Sequence, residues 1–132
     1  MSARPTVFVI DDDLSVRRSL GRLLLSAGYE MVACASAEEF LGLPNLPHPS
    51  CLLTDIRMPG MTGLDLLEAI KLRGGDLPVI LSSGDVDAAT AAHARASGAI
   101  RFLLKPFSST ELLAALDEAF ERDRAATPSP GI

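Results

Sequence analysis

Residues 51–75 read CLLTDIRMPGMTGLDLLEAIKLRGG, and their pattern decides the fold. Cys51 to Thr54 is a short run with no polar alternation, the mark of a strand buried on both faces. Asp55 closes it, and the stretch RMPGMTG carries the proline and glycines of a tight loop. Leu64, Leu67 and Ile70 then recur at three-residue spacing along one helix face, which Gly74 and Gly75 end. The stretch is one complete βα unit.

The same unit repeats in both directions. Val7–Ile10 is a first strand, followed by a helix lined by Val16, Leu20, Leu23, Leu24 and Ala27 and stopped by Gly28. Met31–Cys34 is a second strand. Ser36 caps a short helix from Ala37 through Phe40 and Leu41, before LPNLPHPS (43–50), with its three prolines, forms a surface loop. Beyond the central unit, Val79–Ser82 is a fourth strand, and the Ala-rich segment Val86–Ser97 is helical by propensity with a weak apolar face, closed by Gly98. Arg101–Leu104 is the fifth strand. Ser109 or Thr110 caps a last helix carrying Leu112, Leu113, Leu116 and Phe120, and AATPSPGI ends the chain as a frayed tail. Residues 1–123 are thus expected to form one domain and 124–132 a flexible tail. Five strands, each followed by a helix, imply a parallel sheet covered on both faces. A closed barrel needs more units than the chain holds. In an open doubly wound sheet the ligand site lies beyond the carboxyl ends of the strands.

Composition narrows the function. A chain of 132 residues, 48% hydrophobic, makes one domain with a real core. Twelve Lys and Arg against 17 Asp and Glu give a net charge of −5, which excludes a binder of nucleic-acid phosphates. Cys34 and Cys51 lack CxxC spacing or paired histidines and read as small core residues in a reducing compartment. His48 and His93 read as solvated surface residues. No apolar run reaches the length of a membrane span, and MSARPTV has no signal-peptide character, so a cytoplasmic location is expected.

At the strand ends stand Asp11, Asp12 and Asp13, then Asp55, Ser83 and Lys105. Singly, each has an ordinary explanation: Asp13 as a helix start, Asp55 as a turn former, Ser83 as a cap, Lys105 as a solvated cation. Together they make a chemical set. Converging carboxylates repel unless a cation joins them, and oxygen ligands suit a hard ion such as Mg²⁺. A carboxylate on a rigid strand end can attack phosphorus to give an acyl phosphate, with the metal, a lysine and a hydroxyl around the equatorial oxygens. Gly84 leaves its N–H open to such an oxygen, and Gly60 and Gly63 are expected to let the loop after Asp55 turn tightly.

The blocks VFVIDDD, LLTDIRMPGMTGLDLL, VILSSG and FLLKPF resemble the four sequence blocks of bacterial two-component receiver domains, over about residues 6–121. The fold expected is a flavodoxin-like doubly wound α/β sheet, (βα)5, in strand order 2-1-3-4-5. The resemblance implies that Asp55 is the phosphoacceptor, and that Asp12, Asp55 and the Arg57 backbone carbonyl touch Mg²⁺ while Asp11 acts through a water. It implies Ile56, Gly84, Ser83 and Lys105 as phosphate-binding groups, Ser83 and Phe102 as the switch pair, and a cis Lys105–Pro106 bond. The partners implied are a histidine kinase or histidine phosphotransfer protein, docking on the first helix with Arg17 and Arg18 and on Pro106 and Phe107. A homodimer or protein target is expected on the fourth helix, fifth strand and fifth helix, with neither nucleic acid nor membrane bound directly. Arg57 and Asp85, oppositely charged on two loops, are expected to pair over the phosphoryl. With no output domain after Arg124, the chain reads as a single-domain regulator or a piece of a longer one, a signalling domain rather than an enzyme. The rival is a haloacid-dehalogenase-type phosphatase, for which Asp11, Asp13 and Ser15 imitate the DxDxT block. It fails at its final acidic block, where this chain has a helix.

Overall fold

The structure is a computed structural model describing residues 4–126. In chain order the elements are β1 (Thr6–Ile10), α1 (Leu14–Ser26), β2 (Glu30–Cys34), α2 (Ala37–Leu41), β3 (Ser50–Asp55), α3 (Gly63–Leu72), β4 (Val79–Ser83), α4 (Ala88–Ala96), β5 (Arg101–Leu104) and α5 (Ser109–Ala126). All pairings are parallel and the sheet order is β2-β1-β3-β4-β5, as expected from the sequence.

Alternate residues of each central strand feed two cores. Phe8, Ile10, Leu52, Val79 and Leu81 face α2, α3 and α4, where Phe40, Leu66, Ile70 and Ala94 meet them. Val7, Val9, Cys51, Leu53 and Ile80 face α1 and α5, where Leu24, Leu112, Leu116 and Phe120 close the layer. This two-sided burial explains the unbroken apolar strands. Leu52, fully buried at the middle of the sheet, is worth about 2–5 kcal/mol against alanine. Cys34 and Cys51 are buried at 2% and 0% exposure, core residues as expected. His48 and His93 are exposed.

Element ends depart from the sequence reading where backbone pairing or capping overrides the apolar pattern. Thr6, Glu30 and Ser50 share one rung of the sheet, so three strands start a residue earlier than their apolar runs. The fourth helix starts at Ala88 because the Asp87 side chain accepts the Thr90 N–H and caps it. Neither Ser109 nor Thr110 caps α5: Ser108 Oγ accepts the Glu111 N–H at 3.0 Å while Glu111 accepts the Ser108 N–H at 3.0 Å, a reciprocal capping box. The same helix runs on through Ala126, which corrects the first three residues of the expected tail; residues 127–132 lie outside the described residues.

Candidate functional site

β1 sits between β2 and β3, and α1 and α3 leave their strands toward opposite faces of the sheet. That reversal opens a crevice beyond the carboxyl ends of β1 and β3. Asp11 follows β1 directly and Asp55 is the last residue of β3, held in register with Ser82 of β4. Oxygens of Asp11, Asp12 and Asp55 lie within 4.8 Å of one another; Asp11 is buried, Asp55 half-buried and Asp12 exposed. Asp13 stands apart and caps α1 by accepting the Ser15 N–H at 2.8 Å, the bland role its position suggested.

Lys105 reaches into this cluster from the end of β5. Its Nζ donates to Asp11 Oδ2 at 2.8 Å and to Asp55 Oδ2 at 3.1 Å, while its backbone N–H is tied to the Ser83 carbonyl at 2.9 Å. Burial alone would pull the ammonium below its ordinary value, but the hydrogen bonds to Asp11 and then Asp55, with both charges, hold it above. The Lys105–Pro106 bond is cis, as the resemblance implied. Ser83 Oγ, in a residue only 1% exposed, has no hydrogen-bond partner among the described residues. A buried hydroxyl left so is costly unless a ligand atom accepts its proton. Phe102 is half-buried against the core on the same face of the sheet, and Arg95 lies 5.5 Å over its ring.

Two expectations change. The Ile56 N–H is already spent on the Ser82 carbonyl at 2.8 Å, so Ile56 has no amide to offer an oxyanion; the N–H directed at the Asp55 carboxylate is that of Arg57, at 3.3 Å. Gly60 does turn the loop, at φ 80°. Gly63 serves close approach instead, since a Cβ there would lie 2.4 Å from the Asp55 carbonyl oxygen. Asp87 at the α4 cap has its carboxyl held low first by the Thr90 N–H and in smaller part by the charge of Arg57.

Two side chains were missed. Arg17 does not serve only an outer face: its Nη1 donates to the Asp11 carbonyl at 2.6 Å and anchors the first acidic loop. Glu38 reaches the loop after Asp55 and accepts the Met61 N–H at 3.2 Å. Neither carries a sequence signal, because each contact joins elements distant along the chain or folds a helix back on its own loop.

The donor set suits a hard divalent cation. Three carboxylates face one ammonium, leaving an excess negative charge on oxygen ligands, which Mg²⁺ selects and a soft metal does not. Beside the site, Ser15, Val16, Ser19 and Leu20 of α1 and Lys105, Pro106 and Phe107 line an open, largely apolar groove of about 610 Å³.

The family model described as the response regulator receiver domain matches residues 7–117. The chain belongs to the response-regulator receiver family. Nodulation protein W of Bradyrhizobium diazoefficiens is 42% identical over 123 residues, covering 93% of this chain and 54% of that protein. Transcriptional regulatory protein FixJ of the same organism is 35% identical over 133 residues, 100% of this chain and 64% of its own length. The chain therefore spans between half and two thirds of these relatives. The solved structure of FixJ-N superposes with a TM-score of 0.82 at 35% identity, over 92% of this chain and 96% of that one. The receiver domain is thus a two-component signalling module, and the phosphatase alternative is not favoured. Receiver domains bind Mg²⁺ at an acidic pocket and interact with histidine kinases; this chain carries an acidic cluster of Asp11, Asp12 and Asp55. Among the described residues no helix is long and apolar enough to cross a membrane.

Proposed function

We propose that this receiver accepts a phosphoryl group on Asp55 from a phosphohistidine donor. The observation that carries the reading is the placement of Asp55 at a rigid strand end, 3.1 Å from Lys105 and inside the acid cluster. One Asp55 carboxylate oxygen attacks phosphorus, the oxygen–phosphorus bond forms, and the nitrogen–phosphorus bond of the donor breaks. Asp12, Asp55 and the Arg57 carbonyl would hold Mg²⁺. Asp11, whose Oδ1 accepts the Asp13 N–H and whose Oδ2 accepts from Lys105, would act at one remove through a water. Bound there, Mg²⁺ neutralises charge on the phosphoryl oxygens. Lys105 supplies a second cation, Ser83 a hydroxyl donor, and Gly84 and Arg57 backbone N–H groups. The donor protein, a histidine kinase or phosphotransfer bundle, lays an apolar helix in the groove between α1 and Pro106–Phe107.

The signal leaves when Ser83 turns toward a phosphoryl oxygen and Phe102 takes up the space on that face. α4 buries only Ala94 and shifts at little cost, which alters the α4, β5 and α5 surface offered to a second copy or a target. The domain is a phosphoacceptor of the cytoplasm that assists its own phosphorylation rather than turning over a substrate. Incubation with Mg²⁺ and acetyl phosphate should add one phosphoryl by intact mass, and Asp55→Asn should abolish it. Asp12→Ala should do the same through loss of metal. Labelling of Asp55→Asn at the wild-type rate sinks the assignment.

A further inference from the structure

The loop from Ile56 to Thr62 carries the Arg57 amide and carbonyl, and its path is set partly from outside. Gly60 adopts φ 80°, a conformation that disfavours any side chain. A Cβ built there would sit 2.9 Å from Glu38 Oε2. The same oxygen accepts the Met61 N–H at 3.2 Å. The Glu38 carboxylate thus occupies the space a side chain at Gly60 would fill, and binds the next amide in the turn.

The base of this contact is rigid although its tip is exposed. α2 is capped by Ser36, whose Oγ accepts the Glu39 N–H at 3.1 Å, and Glu39 in turn accepts the Ala35 N–H at 3.2 Å. Ala37 is fully buried, and Phe40 is 4% exposed with its ring edge-on to Phe8 at 5.3 Å. Glu38 therefore projects from a helix bolted to the sheet. At the far end of the loop Thr62 caps α3 and the Gly63 N–H donates to the Ile56 carbonyl at 2.9 Å. Between those anchors the turn at Gly60 and Met61 is steadied by α2.

We propose that Glu38 is a positioning residue for the phosphoacceptor loop: by holding Gly60 and Met61 it sets where the Arg57 amide and carbonyl stand relative to Asp55, and hence how readily Mg²⁺ and the phosphoryl group are bound. The proposal rests on Asp55 being the acceptor. Its chemistry requires an acceptor atom at position 38, not a negative charge, so Glu38→Gln keeps the function and Glu38→Ala loses it.

The full chain and both variants would be compared by Mg²⁺ titration of amide NMR spectra and by intact mass with acetyl phosphate over a range of Mg²⁺. Glu38→Ala should move the Arg57 and Met61 amides in metal-free protein and raise the Mg²⁺ for half-maximal binding and phosphorylation about three- to tenfold, the scale of one ordinary hydrogen bond. Glu38→Gln should stay within about twofold of wild type. Unchanged amides and midpoints in Glu38→Ala overturn the proposal, as does a Glu38→Gln as impaired as the alanine. The underlying reading fails separately: a wild type that takes no phosphoryl on Asp55, while Glu38→Ala still shifts the loop and weakens Mg²⁺, removes the acceptor assignment and leaves the positioning role standing.

Discussion

Replacing Lys105 with methionine isolates the electrostatics of the site, because the unbranched stem is kept and only the ammonium is lost. At effective dielectric ~20, each contact of Nζ with Asp11 or Asp55 is worth about 5–6 kcal/mol of gross attraction. Each pair of carboxylates within 4.8 Å repels by about 3.5 kcal/mol or more on the same scale. Desolvation and water screening cancel most of this. The Lys105 side chain is 25% exposed, against 6% for Asp11 and 13% for Asp55. A net loss of about 2–3 kcal/mol remains for metal-free Lys105→Met, or a fall in Tm of roughly 6–12 °C for a domain of this size. With Mg²⁺ the gap should narrow. The variant has lost the competing cation and keeps all three acids, so it should bind Mg²⁺ more tightly and recover most of the difference. Denaturant melts with EDTA and with saturating Mg²⁺ measure both numbers. A gap that is equal in the two conditions would mean that Lys105 acts by packing, and the electrostatic account would be refuted.

The pH dependence of that gap follows from Lys105 standing above its ordinary value. The sign is that of a raised lysine: its contribution is whole below about pH 10.4 and is lost as pH rises through the folded value, so the EDTA gap should be flat from roughly pH 7 to 10 and shrink beyond. Gly63→Ala should cost about 1–3 kcal/mol and slow phosphorylation, as its Cβ must push the Asp55 carbonyl aside; wild-type melts and mass kinetics would contradict this. In Ser83→Ala, phosphorylation should persist in part, while the amide shifts of residues 84–108 induced by a beryllofluoride mimic should shrink; equal shifts in both proteins would remove Ser83 from the switch.

Most of the fold was legible because a parallel sheet buried on both faces writes its strands as unbroken apolar runs and its helices as three- and four-residue spacing. The repeat from Val7 to Phe120 needed no tertiary information. What escaped were the boundaries that polar residues set. Thr6, Glu30 and Ser50 belong to the sheet through backbone pairing that no hydropathy pattern records. Ser108 was passed over for Ser109 and Thr110, although Glu111 three residues on is the partner of a capping box. The expected helix from Val86 began two residues early because propensity does not see Asp87 taking the Thr90 amide.

The candidate site divides along the same physical line. Asp11, Asp55, Ser83 and Lys105 could be gathered from sequence since each ends or follows a strand, and parallel strands deliver their carboxyl ends to one edge. Position along a strand is a one-dimensional fact, so it survives in the sequence. Which amide faces Asp55 is not such a fact: Ile56 and Arg57 are neighbours, and only the pairing of Ile56 with Ser82 leaves the Arg57 N–H free for the carboxylate. Glu38 and Arg17 lie further from view: Glu38 reaches across from α2, Arg17 folds back from α1 onto its own loop, and both hold backbone atoms. The acids and the lysine are thus placed by the strands, while Arg17 and Glu38, which the strands do not carry, hold the backbone of the loops beside them.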